Sequence, residues 1–93
     1  MRIVSGFVVR QIAGETIAIP SGPAAQALSG LLALNGSGKL LFDLLQTPQT
    51  EDSLVQALLE AYEIDTDTAR GDVLEFLQIL RQNGVLLEVN SKG

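Results

Sequence analysis

The sequence predicts a small α+β domain, a three-stranded antiparallel sheet followed by three helices. Three observations carry that prediction. The first third of the chain is made of short β-branched and apolar runs separated by glycine and proline. From Lys39 onward the apolar residues recur at three- and four-residue spacing, the period of amphipathic helices. The 93 residues, 46% of them hydrophobic, suffice for one small core, so 1–93 reads as a single domain.

The elements follow in order. Phe7 to Ile12 is a β-rich run, Ala13-Gly14-Glu15 a tight turn, and Thr16 to Ile19 a second strand stopped by Pro20, together a hairpin. Ile17 and Ile19 alternate with Thr16 and Ala18, which predicts that the isoleucines face the core and that the opposite face is small or polar. Ala24 to Ser29 bridges onward without a clear period. Leu31 to Leu34 is a short apolar run bounded by Gly30 and Asn35-Gly36, which favours a third strand. Lys39 to Gln46 is apolar nearly all round and reads as a central core helix. Thr50 caps a second helix, with Glu51 and Asp52 in the first turn where the helix dipole favours anions, and Leu54, Val55, Leu58, Leu59 and Tyr62 form its stripe. Asp65-Thr66-Asp67 opens the third helix, whose core stripe is Ala69, Val73, Phe76, Leu77 and Leu80, and Asn83-Gly84 closes it. Val85 to Val89 is expected to pack back as a short extended tail, and Asn90 to Gly93 to fray. A small sheet with three helices is the content of a winged helix-turn-helix domain.

Composition removes several functions. The chain is too short for a dinucleotide-binding sheet or a (β/α)₈ barrel. It has no cysteine and no histidine, hence no disulfide, no thiolate or imidazole metal site and no Ser-His or Cys-His nucleophile. The N-terminus carries one base and no long apolar run, unlike a secretory signal, and no stretch is long enough to span a membrane. A soluble, cytoplasmic, non-enzymatic domain without a cofactor is expected. The segment Leu34-Asn35-Gly36-Ser37-Gly38-Lys39 imitates a phosphate loop but fails it, with Ala33 where the first glycine belongs and Leu40 where the magnesium-binding hydroxyl belongs. Asp65 and Asp67 are explained by helix capping, and Glu60, Glu63, Asp72 and Glu75 by solvated helix faces. The alternative function for a winged helix is DNA binding in a transcription factor. The net charge of −5 and the acids of the second and third helices oppose it, because they repel phosphate.

Two features point to a peptide groove. On the third helix Arg70, Leu74, Leu77 and Arg81 form a strip at i, i+4, i+7 and i+11, beside the core stripe. An apolar pair flanked by arginines suits the wall of a groove with acidic residues at its rim; the alternative is that Leu74 packs beneath the tail. The third strand, Leu31, Leu32, Ala33 and Leu34, has neither charge nor proline to guard it. If it is a sheet edge it invites a partner strand; the alternative is that it is central or covered. The same open edge permits self-pairing, so a homodimer is an expected possibility.

Gly6-Phe7-Val8-Val9-Arg10, then Gly14-Glu15, then Ile19-Pro20-Ser21-Gly22-Pro23-Ala24-Ala25 resembles the opening of PqqD-type proteins. Gly30 to Asn35, followed by Gly38, Phe42 and Leu44-Leu45, is similar to that family's central stretch, and Thr50–Tyr62 and Asp65–Gly84 to its two C-terminal helices. The resemblance covers nearly the whole chain and rests on the ordered set rather than on one motif. It implies a winged helix-turn-helix-like peptide chaperone, the precursor-peptide recognition element of ribosomally made, modified peptides. Such a domain takes the leader of a precursor as an added strand beside its third strand and presents it to a modifying enzyme, often a radical S-adenosylmethionine protein. In pyrroloquinoline quinone synthesis these are PqqA and PqqE. By position the resemblance places the peptide on Leu31 to Leu34 and against Val73, Leu74, Leu77 and their neighbours. Gly36-Ser37 and Phe42 depart from the acidic residue, threonine and tryptophan frequent in the family, which leaves the pathway open.

Overall fold

The computed structural model describes residues 1–28 and 30–88. The chain begins with a short strand, β1 (Arg2–Ile3), and continues into β2 (Phe7–Ile12) and β3 (Glu15–Pro20), the predicted hairpin. Its turn holds Ala13 at φ 53° and Gly14 at φ 83°. Two successive residues at positive φ give the turn whose twist matches the flanking strands. Alanine adopts this conformation at a cost of about 1–2 kcal/mol. A five-residue helix, α1 (Pro23–Ala27), follows and leads to β4 (Leu32–Leu34). The sheet order is β2-β3-β4, antiparallel throughout, with Thr16, Ile17 and Ala18 opposite Leu34, Ala33 and Leu32.

Three longer helices complete the order: α2 (Gly36–Leu44), α3 (Glu51–Ala61) and α4 (Thr66–Gln82). Each start has a side-chain cap. The Asn35 side chain accepts from the Gly38 N–H at 2.7 Å, Thr50 forms a reciprocal capping box with Ser53, and the Asp65 carboxylate accepts from the Thr68 N–H at 2.7 Å. A last strand, β5 (Leu86–Leu87), returns to pair with β1.

The predicted elements are present, with four corrections. The bridge after Pro23 contains a helix, which is too short to display a period. α2 starts three residues before Lys39, because Asn35 caps it and the glycine-bearing segment becomes its first turn. Tyr62 terminates α3 as an exposed residue instead of extending its buried stripe. β1 was not foreseen, since two residues carry no pattern. The tail does pack back, through the β5–β1 ribbon; Val89, the Asn90–Gly93 end and Ser29 of the bridge lie outside the described residues.

The core lies between the sheet and the helices. α2 supplies Leu41 and Phe42 to it, α3 Leu54 and Leu58, and α4 Val73, Leu77 and Leu80, all buried. The Phe42 ring meets Phe7 edge-on, with centroids 5.5 Å apart, which ties α2 to the hairpin. On β3 the expected facing is reversed. Ala18, fully buried, joins the main core beside Leu32 and Leu34, whereas Ile17 is buried outside that cluster. Ala18 and Ile17 are neighbours and so point to opposite faces of the sheet. The smaller residue faces inward, opposite Leu32 in the register. Ala18→Leu is therefore expected to overpack the core and lower stability by about 1–3 kcal/mol. Val8→Thr, on the exposed face, should stay within about 0.5 kcal/mol. Urea denaturation midpoints of the two variants check the assignment.

Candidate functional site

β4 is an edge strand, since among the described residues β3 is its one partner in the sheet. Its side chains alternate: Leu32 and Leu34 are buried, while Ala33 and the preceding Leu31 (56% exposed) face solvent. Across from this edge lies α4, and between them is a hollow of about 170 Å³. The β4 wall is Leu32, Ala33 and Leu34, and the floor is Gly38 and Leu41 of α2. The α4 wall is Asp72, Glu75, Phe76 and Ile79. Those four positions are spaced i, i+3, i+4 and i+7, one face of a helix.

Gly38 shapes the floor. A Cβ there would stand 2.9 Å from the Asn35 side-chain oxygen and 3.6 Å from the Phe76 ring, so a side chain would disturb the α2 cap and intrude on the groove. A second hollow lies on the hairpin side of β4, lined by Glu15, Thr16, Gly36 and Lys39, and meets the first at Ala33, Leu34 and Asn35. The two hollows thus share the end of β4. The hollow between β4 and α4 has room for one or two side chains. Among the described residues no group of three acids is placed to hold a metal ion, and no helix is long and apolar enough to cross a membrane.

Leu32, Ala33 and Leu34 line the groove as expected of the third strand, whereas the exposed Leu31 is outside its lining. The expected helix wall is not the one that faces β4. Val73 and Leu77 are buried in the core, where they seat α4. Arg70, Leu74 and Arg81 occupy the opposite flank of that core stripe. Arg70 pairs with Glu51 and Asp52 of α3. Arg81 grips Glu88 with both ends of its guanidinium, at 2.7 and 3.0 Å. Leu74 is 44% exposed. Phe76, expected in the core stripe, is half-buried and forms part of the groove.

These ion pairs shift both arginines and Glu88. Hydrogen bonds to Glu51 and then Asp52 raise the Arg70 value, and the hydrogen bond to Glu88 raises that of Arg81. The Glu88 carboxyl is held below its ordinary value, first by the Arg81 hydrogen bond and then by its charge.

Fold and groove together define a winged helix-turn-helix-like module with a free sheet edge beside a helix-walled hollow. The chain belongs to the PqqD family: the family described as Coenzyme PQQ synthesis protein D (PqqD) matches residues 15–86. It is similar to the solved structure of TbiB1 in complex with the TbiA(beta) leader peptide. The TM-score is 0.72 and the identity 21%, over 98% of this chain and 100% of that one, a likeness of fold. No curated protein matches the chain.

Two outcomes follow from the rotation of α4. Leu74→Asp is expected to leave stability within about 0.5 kcal/mol, as for other exposed positions. Leu77→Ala should cost about 2–5 kcal/mol; denaturant titration of both variants reads the difference. The Glu88 carboxyl has a depressed value in the fold. Its contribution is therefore present above the ordinary glutamate value of about 4.3 and lost as pH falls through the lowered one. The stability gap between wild type and Glu88→Gln should be present at neutral pH and close on strong acidification, measured by urea unfolding across that range.

Proposed function

We propose that this PqqD-family protein is a non-catalytic peptide chaperone that binds the leader of a ribosomally made precursor peptide. The leader adds as a strand to β4, lies in the groove against α4, and is presented to a modifying enzyme, of the radical S-adenosylmethionine type as in pyrroloquinoline quinone synthesis. The observation that carries this reading is the coincidence of the unpaired edge of β4 with the hollow walled by α4. Backbone pairing along the edge supplies affinity with little regard to sequence, and side-chain recesses supply selectivity. Family membership and the likeness to TbiB1 support the same reading.

Nothing in α4 suits it to a DNA groove. Arg70 and Arg81 are engaged by carboxylates, and Asp67, Asp72 and Glu75 lie along the same helix. A phosphate-binding helix needs the reverse balance.

The test uses fluorescently labelled leaders from precursor-like reading frames encoded beside the gene, titrated by polarisation at low and high salt. Saturable binding near micromolar, about −8 kcal/mol, that survives high salt is expected. Hydrogen exchange should slow at amides of residues 31–34 on saturation. Ile79→Asp, at an exposed groove position, should weaken binding about tenfold while the protein stays folded. Binding without added protection at β4 would overturn strand addition, and salt-sensitive binding of duplex DNA in place of any leader would overturn the function.

A further inference from the structure

The groove is asymmetric in charge. Its α4 wall carries two carboxylates, Asp72 and Glu75, and among the described residues no basic side chain lines it. Neither acid has a salt-bridge partner among the described residues. Three cations of the described residues are engaged elsewhere: Arg70 by Glu51 and Asp52, Arg81 by Glu88, and Lys39 by Asp43 at 2.6 Å. One turn further along α4 the wall becomes apolar, with Phe76 and Ile79 above Leu41. Asp72 is half-buried and Ile79 is 41% exposed, so both are open to a ligand.

From this arrangement, and resting on the proposed peptide-binding function, we infer that the segment bound at β4 carries a lysine or arginine facing Asp72 and Glu75 and, two residues away, an apolar side chain facing Phe76 and Ile79. The spacing follows from the two geometries. At 1.5 Å per helical residue the midpoint of the acids and the midpoint of the apolar pair lie about 6 Å apart along α4. Same-face residues of a strand lie about 6.6 Å apart. A strand along α4 therefore brings one side chain to each half of the wall. A basic residue there neutralises carboxylates that no cation of the described chain balances, whereas an acidic one would meet two like charges in a partly desolvated cleft. The acidic wall thus selects against acidic peptides as well as for basic ones.

The experiment pans a random dodecapeptide display library on wild type, on Asp72→Asn/Glu75→Gln, and on Glu63→Gln/Asp67→Asn. The last removes the same charge from exposed positions outside the groove. Circular dichroism confirms that each variant is folded. Wild type and the control should enrich sequences with Lys or Arg two residues from an apolar residue, and the groove variant should not. For a selected peptide, polarisation should show about a tenfold loss of affinity on the groove variant. Changing the peptide's base to alanine should cost the same on wild type and nothing further on that variant. Peptides protected at β4 but lacking a base, or losing affinity equally on the control variant, would overturn the charge assignment and leave peptide binding standing. If wild type selects no peptide at all, the peptide-binding reading fails, and this inference with it.

Discussion

The burial of one stripe of α4 sets the geometry on which the groove depends. Ala69, Val73, Leu77 and Leu80 are fully or nearly fully buried, and they fix the rotation of a helix 17 residues long. Successive residues advance about 100° around the axis. Once the stripe is seated, every other position has its direction. One flank, Asp72, Glu75, Phe76 and Ile79, turns toward β4; the other, Arg70, Leu74 and Arg81, turns toward α3 and the segment after α4. Arg70 and Arg81 brace that rotation from behind. Exposed ion pairs of this kind contribute little to stability individually, but one anchors near the start of the helix and the other near its end.

The sheet imposes the second constraint. β3 is paired on both sides and its centre is closed to any partner, so pairing capacity is left at β2 and β4. The two edges differ in what stands beside them. β4 has a helix-walled recess beside it, whereas β2 is exposed along almost all of its length. Ala18 contributes to this arrangement by being small. It places the middle of β3 against the core without thrusting β4 outward, and Leu32 and Leu34 fill the space beside it.

Much of the fold was legible because local signals were strong. The hairpin announced itself through Ala13-Gly14 between two β-rich runs, α3 through Thr50, and α4 through Asp65 and its terminal Asn83-Gly84. Signals failed where elements were short, as for β1 and α1, or where two rules competed, as on β3, where hydrophobicity favoured Ile17 and packing favoured Ala18. The site was half legible. An uncharged strand without proline marked Leu31 to Leu34 as an unguarded edge, and sequence similarity pointed to α4 as its companion. Which flank of α4 faces that edge depends on how the chain is wound in three dimensions, and the i, i+4 pattern fits both flanks. Asp72 and Glu75 therefore read as ordinary surface. The signal that could have separated the flanks was charge pairing: Arg70 and Arg81 have acids placed to engage them at Glu51, Asp52 and Glu88, whereas Asp72 and Glu75 have no salt-bridge partner among the described residues.

The β1–β5 ribbon has a mechanical consequence. Arg2 is opposite Leu87 and Ile3 opposite Leu86, so the outermost pair joins the residues nearest the two ends of the domain. A pull applied at both ends loads these pairs one after another and peels the ribbon open; it does not shear them together. The second pair to part carries Ile3, which is 1% exposed and donates its N–H to Leu45 of the central core. Traction from both sides thus reaches the core after two pairs have parted. The fold that holds its groove against thermal motion is poorly built to resist being drawn apart by its ends.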